Sequence, residues 1–435
     1  MDRDDIQGNI LNGYTLEHAG YLFARVKDAA AGRRWLRELL PGLTTASRDG
    51  DKPASTLNVA LTCGGLRALD IDGAALDDLP LDFVEGMAAR ADEIGDIGPN
   101  APERWESGLG SGAAHVLVTL YAGTAGERDE RLGDLGRRVR THPGLEVVFT
   151  QCADGWTDAR EHFGFRDGSS QPVVEGNPGA AKSDGVQRRL GRWRPLRLGE
   201  FVLGHVDEDG VVAGAEAPLL HNGTFMVWRK LSQDVALFRR WLAELAGDDP
   251  DEQKAVAAKV LGRWPEGKSL IDSPDVPAAQ TDRVNTFTYS RDPRGLICPL
   301  GAHARRANPR DALGWRTERT KRHRIIRRGM PYGKRLSEAT CDDDGQPRGL
   351  IFVCLNASIS RQFELVQRHW LLDGDAFGLG TDKDLLLAPE DPLGKMTVPG
   401  RPPRFLAPQR QLVTMRGGEY LFVPGRTALR QLAAG

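Results

Sequence analysis

Gly349-Leu350-Ile351-Phe352-Val353-Cys354-Leu355 is apolar almost throughout and stops after one short run. It falls far short of the ~20 residues a membrane helix needs and fits a strand buried on both faces. The next stretch, Ala357–Trp370, changes period. Ile359, Phe363, Val366 and Trp370 recur every three or four residues, which predicts an amphipathic helix laid on that strand. Working outward, the same strand-then-helix order recurs. Thr224–Lys230 predicts a strand. Ser232 or Asp234 then caps a helix running through Phe238, Trp241 and Leu245, and Asp251–Trp264 predicts a second helix. Glu419–Val423 predicts a last strand. In the first half, strands are predicted at Gly20–Val26, Leu57–Thr62, His115–Tyr121 and Glu146–Thr150, with helices at Ala29–Leu40 and Leu81–Glu93 and a Gly-, Pro- and Ser-rich loop over Gly95–Gly112. The repetition predicts an α+β fold of two similar modules. Gly176–Arg197 serves as linker, so the expected domains are residues 1–180 and 198–435.

The chain has 435 residues, 27% charged and 40% hydrophobic, with a formal net charge of −2. That balance disfavours a dedicated nucleic-acid binder. A chain of this length buries roughly three quarters of its surface, enough to enclose a large cofactor. The start, Met1-Asp2-Arg3-Asp4-Asp5, is acidic and unlike a secretory signal. Five cysteines, an odd number without a Cys-x-x-Cys pair, argue against a disulfide framework or zinc cluster and point to a reducing, cytoplasmic setting.

Three segments carry chemistry. Gly164-Phe165-Arg166-Asp167-Gly168 places one carboxylate between glycines. Cys298-Pro299-Leu300-Gly301-Ala302-His303 places one of nine histidines among small residues that admit a flat ligand. Arg327-Arg328-Gly329-Met330-Pro331-Tyr332-Gly333 ends a basic stretch. Ile325 and Ile326 precede Arg327 as a strand or a buried turn would, so Arg327 is the arginine expected to point inward. A histidine that binds iron, an aspartate that moves a proton and an arginine that holds negative charge are the minimum for peroxide cleavage at a haem. The blander readings are a turn aspartate, a core histidine and a solvated basic face. Arg305, Arg306 and Arg310 follow His303 and suit the anionic edge of a haem. Glu364, on the flank of the apolar helix face, reads either as a rim carboxylate or as an acceptor for His303 Nδ1–H that enriches the iron.

Gly262-Arg263-Trp264-Pro265-Glu266-Gly267-Lys268-Ser269 matches the phosphate-loop pattern. It follows a predicted helix instead of a strand and runs into Pro274, so a helix-ending turn is the better reading. Among the hydrolase patterns, neither a Gly-x-Ser-x-Gly elbow nor a His-Glu-x-x-His is found.

Taken in order, these segments resemble the dye-decolourising peroxidase family. Asp5-Ile6-Gln7-Gly8-Asn9-Ile10-Leu11 is similar to the amino-terminal signature of its longer members. Gly164–Gly168, continuing through Ser169-Ser170-Gln171-Pro172, fits the Gly-x-x-Asp-Gly motif. Cys298–Arg310 resembles the proximal-histidine segment and Arg327–Gly333 the distal-arginine segment. Leu350–Gln367 and Phe422–Gly425 match the carboxyl-terminal core. The resemblance implies two ferredoxin-like modules with antiparallel sheets, and one haem b, with its iron, in the carboxyl-terminal module. It implies His303 as axial metal ligand and Asp167 and Arg327 as catalytic residues on the opposite face. Gly168, Ser169, Arg305, Arg306 and Glu364 complete the expected cofactor site. One branch of the family has Asn two residues after the distal Arg. Gly329 stands there in this chain and implies a roomier pocket.

The expected function is a peroxidase that uses H₂O₂ to oxidise organic donors such as dyes and phenolics. The expected partners are H₂O₂ and the donor, with no nucleic acid and no membrane; a homodimer is compatible with them. Trp315, Tyr332 and Trp370 are candidate electron relays to bulky donors. A haem enzyme of specialised metabolism, performing oxygenation, dehydration or N–N/N–O chemistry, remains an alternative, as does a haem carrier or sensor.

Overall fold

Strand β1 (His18–Val26) turns Leu22 and Ala24 to one face and Tyr21 and Phe23 to the other, and all four are buried. Both faces of the sheet are therefore covered. The computed structural model describes residues 1–47, 52–71, 73–177, 186–187, 193–275, 285–313, 320–388, 394–407 and 410–435. In the first module β1 is followed by α1 (Ala29–Leu39), β2 (Ser55–Leu61), β3 (Val116–Ala122), α2 (Ala125–Thr141) and β4 (Leu145–Asp154). Asp28 and Thr124 cap the two helices through backbone N–H groups of Ala31 and Glu127.

The second module repeats the plan. Strand β5 (Thr224–Gln233) leads into α3 (Val235–Ala246), capped by Asp234, and α4 (Pro250–Leu261). The short helix α5 (His303–Ala307) follows within a long excursion. Then come β6 (Ile326–Arg327), β7 (Met330–Tyr332), β8 (Gly349–Asn356), β9 (Val413–Val423) and α6 (Arg426–Ala434). The main sheet has nine strands in the order β4-β1-β3-β2-β9-β5-β8-β6, with β7 also paired to β8. All its pairings are antiparallel. If β6 and β7 count as one interrupted strand, each module reads fourth-first-third-second. That is the ferredoxin-like order expected from the resemblance.

The two halves join between β2 and β9 through one registered pair, Leu61 and Phe422. Gln7 reinforces this seam. Its amide donates to the carbonyls of Val59 (2.8 Å) and Pro424 (2.9 Å) and accepts from Val59 N (2.8 Å). Although β1 and β5 lie four places apart in the sheet, Trp228 meets Phe23 at 5.0 Å and Tyr21 at 5.7 Å between ring centres, edge to face. The sheet therefore curls on itself. Its inner face packs Tyr21, Phe23, Trp228, Val353 and Leu421, and its outer face is covered by Trp35, Leu36, Leu135, Val139 and Leu429 from the helices.

Two predicted helices differ. The one expected over Leu81–Glu93 ends at Glu85, because Gly86 adopts φ +79° and turns the chain away. The one expected over Ala357–Trp370 is wound as π turns, Ile359–Glu364 and Val366–Leu371, though its apolar face is buried as predicted. Most of the predicted linker, residues 178–185 and 188–192, lies outside the described residues.

Candidate active site

The outer face of the second module's sheet forms the floor of a cavity of about 310 Å³. Leu231, Leu350, Phe352, Val413 and Met415 supply its apolar floor, and Phe363, Val366, Leu371, Leu386 and Leu387 line other parts of the wall. His303, Asp167 and Arg327, drawn from three distant segments, all line it.

His303 opens α5. Its Nδ1 lies 2.6 Å from Asp384 Oδ2, and 30% of its side chain remains open. Asp384 is 1% exposed, and its Oδ1 accepts from the backbone N–H groups of Leu386 (2.9 Å) and Leu387 (3.3 Å). Those donors aim the carboxylate, and the carboxylate aims the ring. Burial pushes the imidazole toward its neutral form, but Asp384 outweighs it and holds the His303 pKa above the ordinary value. Asp384 thus takes the place expected for Glu364. Glu364 instead binds Arg90 through both oxygens, Oε1 to Nε at 2.7 Å and Oε2 to Nη2 at 2.8 Å, and accepts from the Tyr420 hydroxyl at 2.9 Å. No local pattern points to Asp384, which lies 81 residues from its partner.

Asp167 and Arg327 form an ion pair, Arg327 Nη1 donating to Asp167 Oδ1 at 3.0 Å, with each side chain 33% exposed. Gly168 N donates to the same oxygen at 2.6 Å. Both flanking glycines have positive φ, Gly164 at +94° and Gly168 at +72°, which lets the loop present the carboxylate. Nearby, Glu161 is half-buried and ties the loop to itself. It accepts from Phe163 N and Phe165 N, both at 3.0 Å, and from Gln233 Nε2 at 2.6 Å. Burial pushes its pKa up against those bonds.

Arg305 and Arg306 do not reach the cavity. Arg305 is fully buried, bonded to Asp292 Oδ2 (3.2 Å), the Asp292 carbonyl (2.8 Å) and the Cys298 carbonyl (2.7 Å), and stacked on Tyr289. Arg306 donates to the carbonyls of Gly301, Trp370, Asp373 and Asp382. Both hold the loops around α5 in place. The cationic wall comes from Arg166, Arg263 and Arg310, with Ser169 and Asn308. Arg263 and Arg310 stack on Phe287 and share Asn285, whose Nδ2 donates to the Ser169 carbonyl at 2.5 Å. The phosphate-loop lookalike ends α4 as expected. Gly262 is left-handed, and Gly267 (φ +94°) leaves no room for a Cβ beside Ser169. Gly168 is not among the lining residues, and it makes its contribution through the N–H to Asp167.

Gly329 does line the cavity, but a Cβ there would collide with the Ile351 carbonyl of β8. Close strand approach accounts for the glycine without any roomier pocket. Tyr332 and Trp370 are buried, and Trp315 lies outside the described residues. The wall also fits a large ligand. Arg229 Nε and Nη1 and Asp96 Oδ2, buried on residues lining the cavity, have no hydrogen-bond partner among the described residues.

Comparison with known proteins bears on the family and the fold. The "DyP dimeric alpha+beta barrel domain" profile matches residues 5–142, and the "Dyp-type peroxidase, C-terminal" profile matches residues 205–378. The chain is 28% identical to dye-decolorizing peroxidase msp1 of Mycetinis scorodonius, over 99% of this chain and 87% of that one. It is 29% identical to the multifunctional dye peroxidase DyP2 of an Amycolatopsis species, over 99% and 95%. Among solved structures, an ancestral D-type dye-decolorizing peroxidase superposes with a TM-score of 0.84 at 27% identity, covering 100% of both chains. A dye-decolorizing peroxidase in complex with 2,6-dimethoxyphenol gives 0.83 at 25% identity, also covering 100% of both. The chain belongs to the dye-decolourising peroxidase family.

Proposed function

We propose that this chain is a haem-dependent peroxidase that uses H₂O₂ to oxidise organic donors, dyes and phenolics among them, by one-electron steps. The observation that carries the reading is the Asp167–Arg327 ion pair in the same cavity as a histidine fixed by a buried carboxylate. A haem b, when bound, supplies the iron and the redox chemistry. His303 is the residue to hold its metal, with Asp384 fixing which ring nitrogen is free. Arg166, Arg263, Arg310, Ser169 and Asn308 are the residues to meet its carboxylates.

The remaining chemistry falls to two side chains. Asp167 accepts a proton from one oxygen of H₂O₂ and returns it to the departing oxygen. Arg327 carries a fixed positive charge beside Asp167 and stabilises the negative charge that develops as the O–O bond breaks. Apolar walls keep bulk water from competing with both. The relative bound to 2,6-dimethoxyphenol supports a phenolic donor.

Residues 1–180, with Asp167, and 198–435, with His303 and Arg327, are taken as the two units of the enzyme. No helix among the described residues is long and apolar enough to cross a membrane. The five cysteines are free, which suits a reducing, cytoplasmic location. The test is direct. The purified protein should give a haem absorption band that His303→Ala loses. Mixing with H₂O₂ should be slowed at least about a hundredfold by Asp167→Asn or Arg327→Leu. Wild-type rates in both variants would refute the assignment.

A further inference from the structure

We infer that Gln171 is a positioning residue that sets the distance between Asp167 and Arg327; this rests on the peroxidase reading above. Arg327 lies in β6, the last strand on the sheet's path, which pairs on one side with β8. Its other side offers a peptide N–H and C=O that no strand among the described residues meets. The Gln171 side chain takes that place. Its Nε2 donates to the Arg327 carbonyl at 3.0 Å, and its Oε1 accepts from Arg327 N at 3.1 Å. One amide thus meets both groups of one peptide edge, as a neighbouring strand would, and Arg328 Nη1 adds a second donor to the Arg327 carbonyl at 3.0 Å.

The same loop also holds the far end of the arginine. Arg327 Nη1 donates to Asp167 Oδ1 and Nη2 to the Ser170 carbonyl at 3.3 Å. Residues 167–171 therefore grip Arg327 at its backbone and at its guanidinium. Before Asp167, the loop is pinned by the bond from Asp167 N to the Ala159 carbonyl (2.9 Å). Beyond it, Gln171 and the bond from Asn285 to the Ser169 carbonyl are among the ties. A Cβ added at Gly164 or Gly168 would meet nothing within 4 Å, so side-chain packing does not hold the loop at those points. Without the Gln171 bridge, the backbone of β6 loses its tie to the loop, and only the flexible guanidinium end of Arg327 still joins the two elements. A misplacement of ~1 Å costs up to ~100-fold in rate when two groups act together.

The experiment uses the haem-loaded enzyme as wild type, Gln171→Leu, Gln171→Glu, Arg327→Leu and the Gln171→Leu/Arg327→Leu double variant. Two quantities are read. One is the second-order rate with H₂O₂. The other is the dissociation constant of fluoride for the ferric enzyme, a small anion that accepts a hydrogen bond from a nearby guanidinium. Gln171→Leu should lower the rate about tenfold or more and weaken fluoride by a similar factor, with the donor KM unchanged. In the Arg327→Leu background the second substitution should change neither quantity, because the effect runs through Arg327. Gln171→Glu keeps the acceptor for Arg327 N but loses the donor to its carbonyl, and should show the same defects should the leucine variant not fold. Wild-type values in both Gln171 variants, or losses that add in the double variant, would overturn the inference alone. Wild-type peroxide rates in Arg327→Leu as well would overturn the reading of the site together with it.

Discussion

His303 Nδ1 and Asp384 Oδ2 stand 2.6 Å apart, and the carboxylate is itself oriented by the N–H groups of Leu386 and Leu387. Asp384→Asn replaces a charged acceptor with a neutral amide. It should weaken metal-bearing cofactor retention about 10- to 100-fold and raise the iron reduction potential. Apo-protein titration with haem and spectroelectrochemistry measure the two effects. Glu364→Gln, at the partner expected from the sequence, should change neither.

Glu364 acts elsewhere. It is the meeting point of Arg90 on the first module and Tyr420 on the last strand. Glu364→Ala leaves the Tyr420 hydroxyl and half of Arg90 without acceptors in a mostly buried place. A loss of about 2–3 kcal/mol in urea unfolding is expected, with the absorption spectrum of the folded enzyme unchanged.

Arg305 and Arg166 should separate cleanly. Arg305→Met leaves Asp292 as a buried carboxylate without its counter-charge, and should destabilise even the apo-protein by about 3 kcal/mol or more. Arg166→Gln sits in the cavity wall and should loosen haem several-fold with little change in the apo-protein's melting temperature. Calorimetry of the apo-proteins and haem titration give opposite rankings for the two variants.

Glu419 makes a contribution to stability that falls as pH rises. Glu419 on β9 is buried, accepts from Gly110 N at 2.6 Å, and burial pushes its pKa up to about 8 from 4.5. Below pH 4.5 folded and unfolded chains both hold the proton. Between 4.5 and 8 the unfolded chain releases it and the folded chain keeps it, so the unfolded state gains. Above 8 the folded chain also ionises and the loss levels off. Glu419→Gln keeps an oxygen for Gly110 and has no proton to release. Its melting temperature should match wild type near pH 4.5 and exceed it increasingly up to about pH 8.

These cases show what the linear sequence conveys. Strand and helix periods placed nearly every element of the sheet, because burial on both faces imposes them residue by residue. The glycines around Asp167 and the small residues before His303 marked two segments that the fold brings to one cavity. Asp384 and Gln171 left no such trace, since each works through a partner brought in by tertiary folding. Arg305 and Arg306 misled for a physical reason. Arginine is usually exposed, but here Asp292 and a set of backbone carbonyls offset the cost of burying it. Glu364 misled because Arg90 and Tyr420, brought in by tertiary folding, take its carboxylate, while Asp384 reaches His303.

The strand at the centre of the sheet is the last one made. β9 supplies Val413 and Met415 to the cavity floor and also forms the seam with β2. A chain made only as far as residue 412 holds His303, Asp167 and Arg327 over a floor that lacks Val413 and Met415 and has no seam to the first module. Cofactor capture therefore waits on β9, and a translation product stalled before residue 413 is expected to stay colourless.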